Sequence, residues 1–374
     1  FLQSSLFAIA DISLIVVDIK YNQQQGVKIC EMQPGSFSRF SGANSPDEPN
    51  AVPLLYCKLL EQYNTPIYFT HPLYHKMKEA FIQHSWSSTH SIESLLAKVK
   101  KTKDNDPDNL FDYQCFLFSL QTEPIFNRYQ ELFPHILFLD RAILPFSQSK
   151  YVMNSFFDSI EETKKLRPQW GLYRKGTSAE LVEAIAQDIP GNIVVIKPLQ
   201  STMGRGVIIL EKQDLQKTLD YIFLSEKEVL LKDLERSYSH YAVDESDYFI
   251  VEEFIESDPL FLGKDQLPYD CTMRIIAVLS YHHHVADITL LKEYWYSPNK
   301  PIDTAYTLIQ SHKAKGTYFT QVAPDVIEKV KQELFPALLK AYKKCWIKAA
   351  DRSVNLKALI FLQSKSISSV CCLF

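Results

Sequence analysis

The sequence has no excess of basic residues. Its 374 residues include 40 Lys and Arg against 44 Asp and Glu, which gives a net charge of −4. Proteins that bind nucleic acid or an anionic membrane over a broad surface usually carry a positive field, which this composition does not supply. We therefore expect no nucleic-acid partner. Hydrophobic residues make up 46% of the chain, as in ordinary globular proteins.

The sequence also lacks a C-x-x-C pair and an early apolar run long enough to cross a bilayer. Its seven cysteines are odd in number and scattered, which favours reduced thiols and a cytoplasmic location. The apolar stretch LFAIADISLIVVD is interrupted by Asp11 and falls short of the roughly 20 residues of a membrane span. Because it also lacks a basic flank, we interpret it as core rather than as a signal peptide.

The first 145 residues alternate between short apolar runs and amphipathic stretches. Five runs have the length and the β-branched or aromatic content of buried strands: ISLIVVDIK, GVKICEMQ, PIYFTH, CFLFSL and HILFLD. Two stretches between them, AVPLLYCKLLEQYN and SIESLLAKVKK, are amphipathic and predict helices. This alternation predicts an α/β layer, which we assign to an N-terminal domain over residues 1–145.

The remainder of the chain mixes helices with further strands. Met153, Phe156, Phe157 and Ile160 recur at helical spacing and predict a helix that starts near Lys150. YFIVEEFI and TMRIIAVLSY predict strands, and the second leads through a histidine turn into VADITLLKEYWYS as a hairpin. The last helix is predicted at PDVIEKVKQELFPALLKAYKKCW, where an internal proline is expected to cause a kink.

One stretch, VVIKPLQSTMGRGVIIL, combines a buried strand, a lysine and two glycines. Lys197 emerges near the end of the strand, and Gly204 and Gly206 permit a backbone that exposes N–H groups to an anion. A lysine beside such a loop is a plausible phosphate site. An ordinary hairpin with glycine in its turn explains the segment equally well, and the Walker order G-x-x-x-x-G-K-S/T is absent.

The order of several features along the chain resembles the ATP-grasp superfamily over about residues 146–346. These features are Lys150, Lys197 with its glycine loop, the strand end VEEFI, and Arg274 at the head of a later strand. The resemblance is to the glutathione synthetase or carboxylate–amine ligase type. It implies an ATP-grasp fold of α/β (α+β) class, with sub-domains over 146–250 and 251–374 that follow a pre-ATP-grasp-like N-terminal domain.

The resemblance also implies roles for individual residues. Two lysines would contact the nucleotide, the loop would close over its phosphates, and the backbone of Glu252 to Ile255 would bind adenine at the hinge. The implied nucleotide-binding residues are Lys150, Lys197, Gln200, Ser201, Gly204, Arg205, Gly206, Glu252, Glu253, Phe254, Ile255 and Asp258. Arg274 would act catalytically on the transferred phosphate. Lys292 and Gly316 are further candidates.

The activity that the resemblance implies is ligation of a carboxylate to an amine. ATP would give its γ-phosphate to the carboxylate, and the amine would attack the resulting acyl-phosphate. The substrates would then be nucleotide, a carboxylate and an amine, with ATP and Mg²⁺ as cofactors. A degenerate protein that binds nucleotide or a partner without ligase turnover is the alternative.

The predicted metal site is incomplete in the sequence. ATP-grasp proteins hold Mg²⁺ with an acidic residue and a Glu-x-Asn pair on late strands, because Mg²⁺ prefers hard oxygen ligands. After Glu333 the only acidic residue is Asp351, so Asp351 and Asn355 are the candidate ligands. Glu293 or Asp287 could assist.

The final residues CCLF fit a C-a-a-X prenylation motif loosely, which would bring the protein to a membrane through Cys371. An apolar tail without that role is the favoured interpretation, because only Lys357 and Lys365 lie nearby and stable anchoring usually needs a second signal.

Overall fold

The computed structural model describes most of the chain from residue 149 onward and shorter parts before it. The described residues are 11–34, 51–61, 67–69, 87–88, 94, 97, 115–118, 136–140, 142–143, 149–201, 204–233, 236–282, 285–303 and 305–350. Within them the chain has a mixed α+β fold built on two main sheets. The fold class predicted from the sequence is confirmed.

The larger sheet has the strand order β15-β14-β13-β1-β6-β5-β3-β4, and β2 also pairs with β1. Its strands are β1 Asp11–Asn22, β2 Gly26–Pro34, β3 Ile67–Phe69, β4 Ser87–Ser88, β5 Cys115–Phe118, β6 Ile136–Leu139, β13 Thr272–His282, β14 Val285–Pro298 and β15 Ala314–Thr320. The pairs among β3, β4, β5 and β6 and the pair of β6 with β1 are parallel. The pairs of β1 with β2 and β13, of β13 with β14 and of β14 with β15 are antiparallel. The five strands predicted before residue 145 all lie in this sheet.

The two faces of the larger sheet are covered by different helices. Alternate residues of a strand point to opposite faces, and Ile15, Val17 and Ile19 of β1 belong to a core that contains residues of two helices, at 150–158 and 324–350. Ile12, Leu14 and Val16 point the other way into a second core shared with the helix at 51–61. Strand β1 is therefore buried on both faces.

The smaller sheet is antiparallel with the order β7-β10-β8-β9. Its strands are β7 Trp170–Arg174, β8 Ile193–Pro198, β9 Ile208–Glu211 and β10 Tyr248–Glu253. Val194 and Ile196 of β8 point into a separate core, whereas Lys197 alternates to the other face. A short hairpin of β11 Leu260–Leu262 and β12 Leu267–Tyr269 follows.

The stretches at 51–61, 150–158 and 324–350, whose apolar patterns predict helices, are helical, whereas most of the predicted helix SIESLLAKVKK lies outside the described residues. The helices of the described residues are given in chain order. They are α1 Ala51–Glu61, α2 Lys150–Asp158, α3 Glu161–Lys165, α4 Ala179–Asp188, α5 Leu215–Leu224, α6 Lys227–Leu231, α7 Arg236–Ser239, α8 Leu308–His312 and α9 Pro324–Ala350. The predicted stripe of α2 is buried, with Phe157 fully inaccessible. Helix α9 continues through Pro336 rather than ending there. No helix of the described residues is long and apolar enough to cross a membrane.

Strands from the two ends of the chain share one sheet. Strand β1 pairs with β13 over nine residues, from Asp11 opposite Tyr281 to Ile19 opposite Met273. The predicted division of the chain at residues 145 and 250 remains a prediction, but the sheet joins the first of those segments to the third. Pairing across some 250 residues leaves no local signal in the sequence.

Candidate functional site

The first part of the site is an ion pair at the centre of the larger sheet. Asp18 follows Val16 on the face that α1 partly covers, so polar side chains replace apolar ones there. Its two carboxylate oxygens each accept a hydrogen bond of 2.7 Å from Arg274, at Nε and Nη2, and one accepts a third of 2.8 Å from the Tyr296 hydroxyl. Burial would lower the pKa of Arg274, but the carboxylate of Asp18 raises it well above its usual value. Arg274 therefore stays charged and bound.

The second part is a buried chain of polar residues that joins β1, the start of β13 and α8. Lys20 Nζ lies 2.7 Å from Asp270 Oδ1 and also donates to the carbonyls of Asp270 and Cys271. The other oxygen of Asp270 lies 2.9 Å from His312 Nδ1. Lys20 and Asp270 are buried. Because each of these polar atoms has a partner, this chain of residues fixes the start of β13 against β1 and α8.

The third part, the junction cluster, joins the two sheets and consists of Asn154, Arg167, Lys197 and Glu252. Lys197 Nζ lies 2.6 Å from Glu252 Oε2. Glu252 Oε1 accepts hydrogen bonds from Asn154 Nδ2 at 3.1 Å and from Arg167 Nη2 at 3.2 Å. The cations also reach the larger sheet, because Arg167 Nη1 donates to the carbonyl of Ile29 at 2.5 Å and Lys197 to that of Cys30 at 3.4 Å.

The junction cluster holds two cations and one carboxylate. Burial alone would raise the pKa of Glu252, but Lys197 and Arg167, with hydrogen bonds from Lys197 and Asn154, outweigh it and lower that pKa below its usual value. Glu252 is therefore ionised at neutral pH, and one positive charge of the cluster has no counter-charge within it. A buried charge without a counter-charge is costly, and a bound anion relieves that cost.

Lys150 adds a further cation beside the cluster. It is the first residue of α2, and its backbone N–H donates to the carbonyl of Leu199 just after β8. Its Nζ donates to Ser201 at 2.7 Å (carbonyl) and 2.9 Å (Oγ), and lies 3.8 Å from Glu31 Oε1. Burial lowers the pKa of Lys150, Lys197 lowers it further, and Glu31 opposes the shift. An anion bound here would favour the charged amine.

Cys30, whose carbonyl accepts the hydrogen bond from Lys197, is a partly buried residue with a free thiol. Burial raises the pKa of the Cys30 thiol, and Lys197 and Lys20 offset only part of that effect. The residue therefore remains protonated at neutral pH, which agrees with a packing role. Its neighbour Glu31 reaches the same region through Lys150.

The glycine loop between β8 and β9 is held at both ends. Gly206 has φ +70°, and a Cβ there would lie 2.7 Å from Pro198 Cγ and 2.8 Å from His240 Cδ2, so only glycine fits. The Gly206 carbonyl accepts a 2.9 Å hydrogen bond from Tyr241. His240 Nε2 lies 3.3 Å from the Gln200 carbonyl. Arg205 is exposed.

Lys313 connects this loop to the larger sheet. It follows α8, and its Nζ donates to Ser237 Oγ at 2.5 Å and to the Val207 carbonyl at 3.4 Å. A Cβ on Gly204, where φ is +66°, would lie 3.1 Å from Lys313 Cε. Lys313 therefore bridges the loop and α7, and its spacing in SHKAKGTY gives no hint of this partner.

We expect Lys313→Ala to loosen the glycine loop. Without this bridge the loop opens more often, and trypsin should cut after the exposed Arg205 about threefold faster, as expected when a local opening becomes easier. Cleavage is followed by mass spectrometry of the released peptides. Lys329→Ala, which removes an exposed lysine from α9, serves as the control. Equal cleavage rates in the two variants would contradict a bracing role for Lys313.

The predicted hinge follows β10 and is tied to the larger sheet. Glu253 exchanges backbone and side-chain hydrogen bonds with Gln169. Phe254 packs edge-on against His312 with ring centroids 4.9 Å apart, and Ile255 is buried. Asp258 accepts a 2.8 Å hydrogen bond from the backbone N–H of Gln23, so its carboxylate is held by the β1–β2 turn. A role for Asp258 at the ribose stays a prediction.

The structure brings six of the twelve predicted nucleotide-binding residues together. Lys150, Ser201, Lys197 and Glu252 are connected through the contacts above, and Gly204 and Gly206 lie in the adjoining loop. Arg274 belongs instead to the ion pair with Asp18, and its predicted catalytic role is untested. Sequence reasoning missed Asp18, Asn154, Arg167 and Lys313. The signal for Asp18 was a charged side chain within an otherwise apolar strand.

The predicted metal ligands Asp351 and Asn355 lie outside the described residues. In the part of the chain that the structure describes, no three His, Cys, Asp or Glu side chains cluster to hold a metal ion. Glu293, suggested as an auxiliary ligand, pairs with Ile275 on the face that carries α9, and burial raises the pKa of its carboxyl. Asp287 is exposed near the far end of β14. The predicted magnesium site therefore stays a prediction.

No protein-family model matches the chain, and no curated protein matches its sequence. Solved structures do match. D-alanyl-alanine synthetase A from Vibrio cholerae aligns at 10% identity and a TM-score of 0.31, covering 60% of this chain and 58% of that one. D-Alanine-D-alanine ligase from Helicobacter pylori aligns at 14% identity and a TM-score of 0.27, with 57% and 52% covered.

A third match is the biotin carboxylase domain of 2-oxoglutarate carboxylase from Hydrogenobacter thermophilus, in complex with MgADP, ADP and bicarbonate. It aligns at 9% identity and a TM-score of 0.31, covering 65% of this chain and 61% of that one. These neighbours are ATP-grasp enzymes, the superfamily that the sequence resembles. The chain spans less than two thirds of each. At TM-scores near 0.3 these alignments describe nothing of the site.

Proposed function

We propose that the junction between the two sheets binds the phosphates of ATP. The observation that carries this proposal is the charge of the junction cluster, where Lys197 and Arg167 share a single carboxylate, Glu252. Lys150 adds another cation with a lowered pKa next to the same loop. Buried cations that exceed their counter-charges favour a polyanionic ligand.

Three local features support nucleotide as that polyanion. Lys150 and Lys197 approach the loop that follows β8, and both are largely buried, so their attraction for phosphate is only weakly screened. The loop contains two glycines with positive φ, a backbone that turns N–H groups toward an anion. The segment Glu252–Ile255 then provides peptide groups beside apolar side chains at the end of β10, which suits adenine.

The reaction proposed for this site is ATP-dependent ligation of a carboxylate to an amine. A carboxylate oxygen attacks the γ-phosphorus, the bond to the β-phosphate oxygen breaks, and ADP leaves. The amine nitrogen then attacks the acyl carbon, phosphate leaves, and the amine loses a proton. Lys150, Lys197 and the loop amides would bind and orient the phosphates and stabilise the charge that moves during transfer. Among the described residues, these roles fall to the cations and to the amides of the loop.

Turnover tests this activity. The purified chain is incubated with ATP, Mg²⁺ and pools of carboxylates, with hydroxylamine present to capture any acyl-phosphate as a hydroxamate. Ligase activity predicts ADP and hydroxamate in equal amounts, dependent on one carboxylate pool and reduced in Lys150→Ala. ATP binding without ADP release in any pool would contradict ligase turnover and leave a nucleotide-binding protein.

A further inference from the structure

Arg167 is the least expected member of the junction cluster. Its side chain is 1% exposed, and it precedes β7 in a segment whose Leu166 carbonyl accepts a 2.6 Å hydrogen bond from the backbone of Ile29. Arg167 is thus fixed to strand β2 in two ways. The main chain of its neighbour Leu166 bonds to Ile29, and its own guanidinium donates to the Ile29 carbonyl. Nothing in the motif order around Lys197 points to it.

The contacts of Glu252 divide between its two oxygens. Oε2 is bound by Lys197, whereas Oε1 is bound by Arg167 and Asn154. Lys197 Nζ has three donors, of which one goes to Glu252 and a longer one to the Cys30 carbonyl, so a donor remains for a ligand. How strongly Lys197 attracts an anion therefore depends on how much of the Glu252 charge Arg167 compensates.

We propose that Arg167 is a positioning residue that keeps Lys197 available for phosphate by neutralising Glu252 from the opposite side. This inference rests on the proposed nucleotide site and deepens it. With Arg167 present, the cluster carries one surplus positive charge. Without Arg167 the Lys197–Glu252 pair is neutral, and Lys197 presents a much weaker field to an incoming anion.

Charge-changing variants at two positions separate this role from simple packing. Arg167→Gln makes the cluster neutral, Glu252→Gln doubles its surplus, and the double variant restores a single positive charge through Lys197 alone. Arg167→Lys keeps the charge while losing the forked hydrogen bonds. Arg174→Gln removes an exposed arginine from the adjacent strand β7 and serves as the matched control.

Dissociation constants for ATP are measured by calorimetry on each variant of the 374-residue chain, with unfolding midpoints recorded in parallel. We expect Arg167→Gln to weaken ATP binding on the order of tenfold, as suits loss of a buried charge contact. Adding Glu252→Gln should return the affinity to within about threefold of the wild type, although it removes another hydrogen-bonding partner. Arg167→Lys, which keeps the charge, should bind ATP more tightly than Arg167→Gln, and Arg174→Gln should bind ATP like the wild type.

A packing role predicts a different result. In that case the double variant binds ATP no better than Arg167→Gln, and that result overturns the inference, as does wild-type affinity in Arg167→Gln. If Arg167→Gln does not fold, Glu252→Gln alone decides, because the inference requires it to bind ATP more tightly than the wild type and unchanged or weaker binding refutes it. Failure of the wild type to bind ATP would instead remove the proposed nucleotide site itself, and this inference with it.

Discussion

Replacing Lys197 by alanine is expected to weaken ATP binding by roughly 10- to 100-fold. A hydrogen bond to a charged group contributes about 1.5–3 kcal/mol, and each 1.4 kcal/mol corresponds to about a factor of ten in affinity. The variant should still fold, because Glu252 keeps its hydrogen bonds from Arg167 and Asn154. Affinity is measured by displacement of a fluorescent ATP analogue, and folding by the thermal unfolding midpoint.

The matched control is Lys217→Ala, which removes an exposed lysine from α5, a helix that packs on the smaller sheet. It has the same change in net charge and should bind ATP like the wild type. Equal affinities for Lys197→Ala and Lys217→Ala would mean that Lys197 serves only as the structural partner of Glu252.

The second large effect is expected at Asp18. Asp18→Asn leaves the guanidinium of Arg274 in the sheet without its carboxylate, and removing one partner of a buried ion pair costs about 3–5 kcal/mol of unfolding free energy. Because the pair is not completely buried, we expect the lower end, about 3 kcal/mol. Urea unfolding followed by circular dichroism measures the change.

Two further variants show whether that loss of stability comes from breaking the ion pair. Asp287→Asn removes an exposed carboxylate from the same sheet and should change stability by less than about 0.5 kcal/mol. Asp18→Asn combined with Arg274→Met should regain much of the lost stability, because an apolar side chain leaves no unpaired charge. If Asp18→Asn is as stable as the wild type, the ion pair does not hold the sheet.

Local patterns predicted the strands before residue 145 and the helices α1, α2 and α9. The apolar stripe Met153, Phe156, Phe157 and Ile160 predicts α2 because burial of one helix face leaves a repeat every three or four residues. The strand pair around the glycine loop follows from two β-branched runs and two glycines. What no local pattern supplies is the pairing of β1 with β13, since its partners are about 250 residues apart.

Part of the candidate site was predictable from the sequence. Lys150, Lys197 and the glycine loop follow from the motif order, because each stands at the end or start of a regular element. Their partners do not. Asn154 lies within the apolar stripe of α2 and Arg167 in a short connecting segment, and each gains its role only when β10 brings Glu252 between them. Charge balance is a property of the folded arrangement.

The measurement that tests the central claim most directly is a calorimetric titration of the wild-type chain with ATP, ADP, AMP and adenosine. If the cations at the junction bind phosphates, ATP binds at one site with a dissociation constant on the order of micromolar, as common for such sites. Affinity should then fall with each phosphate removed. Failure to bind ATP, or binding of adenosine as tight as that of ATP, would contradict a phosphate site formed by Lys150, Lys197 and the glycine loop.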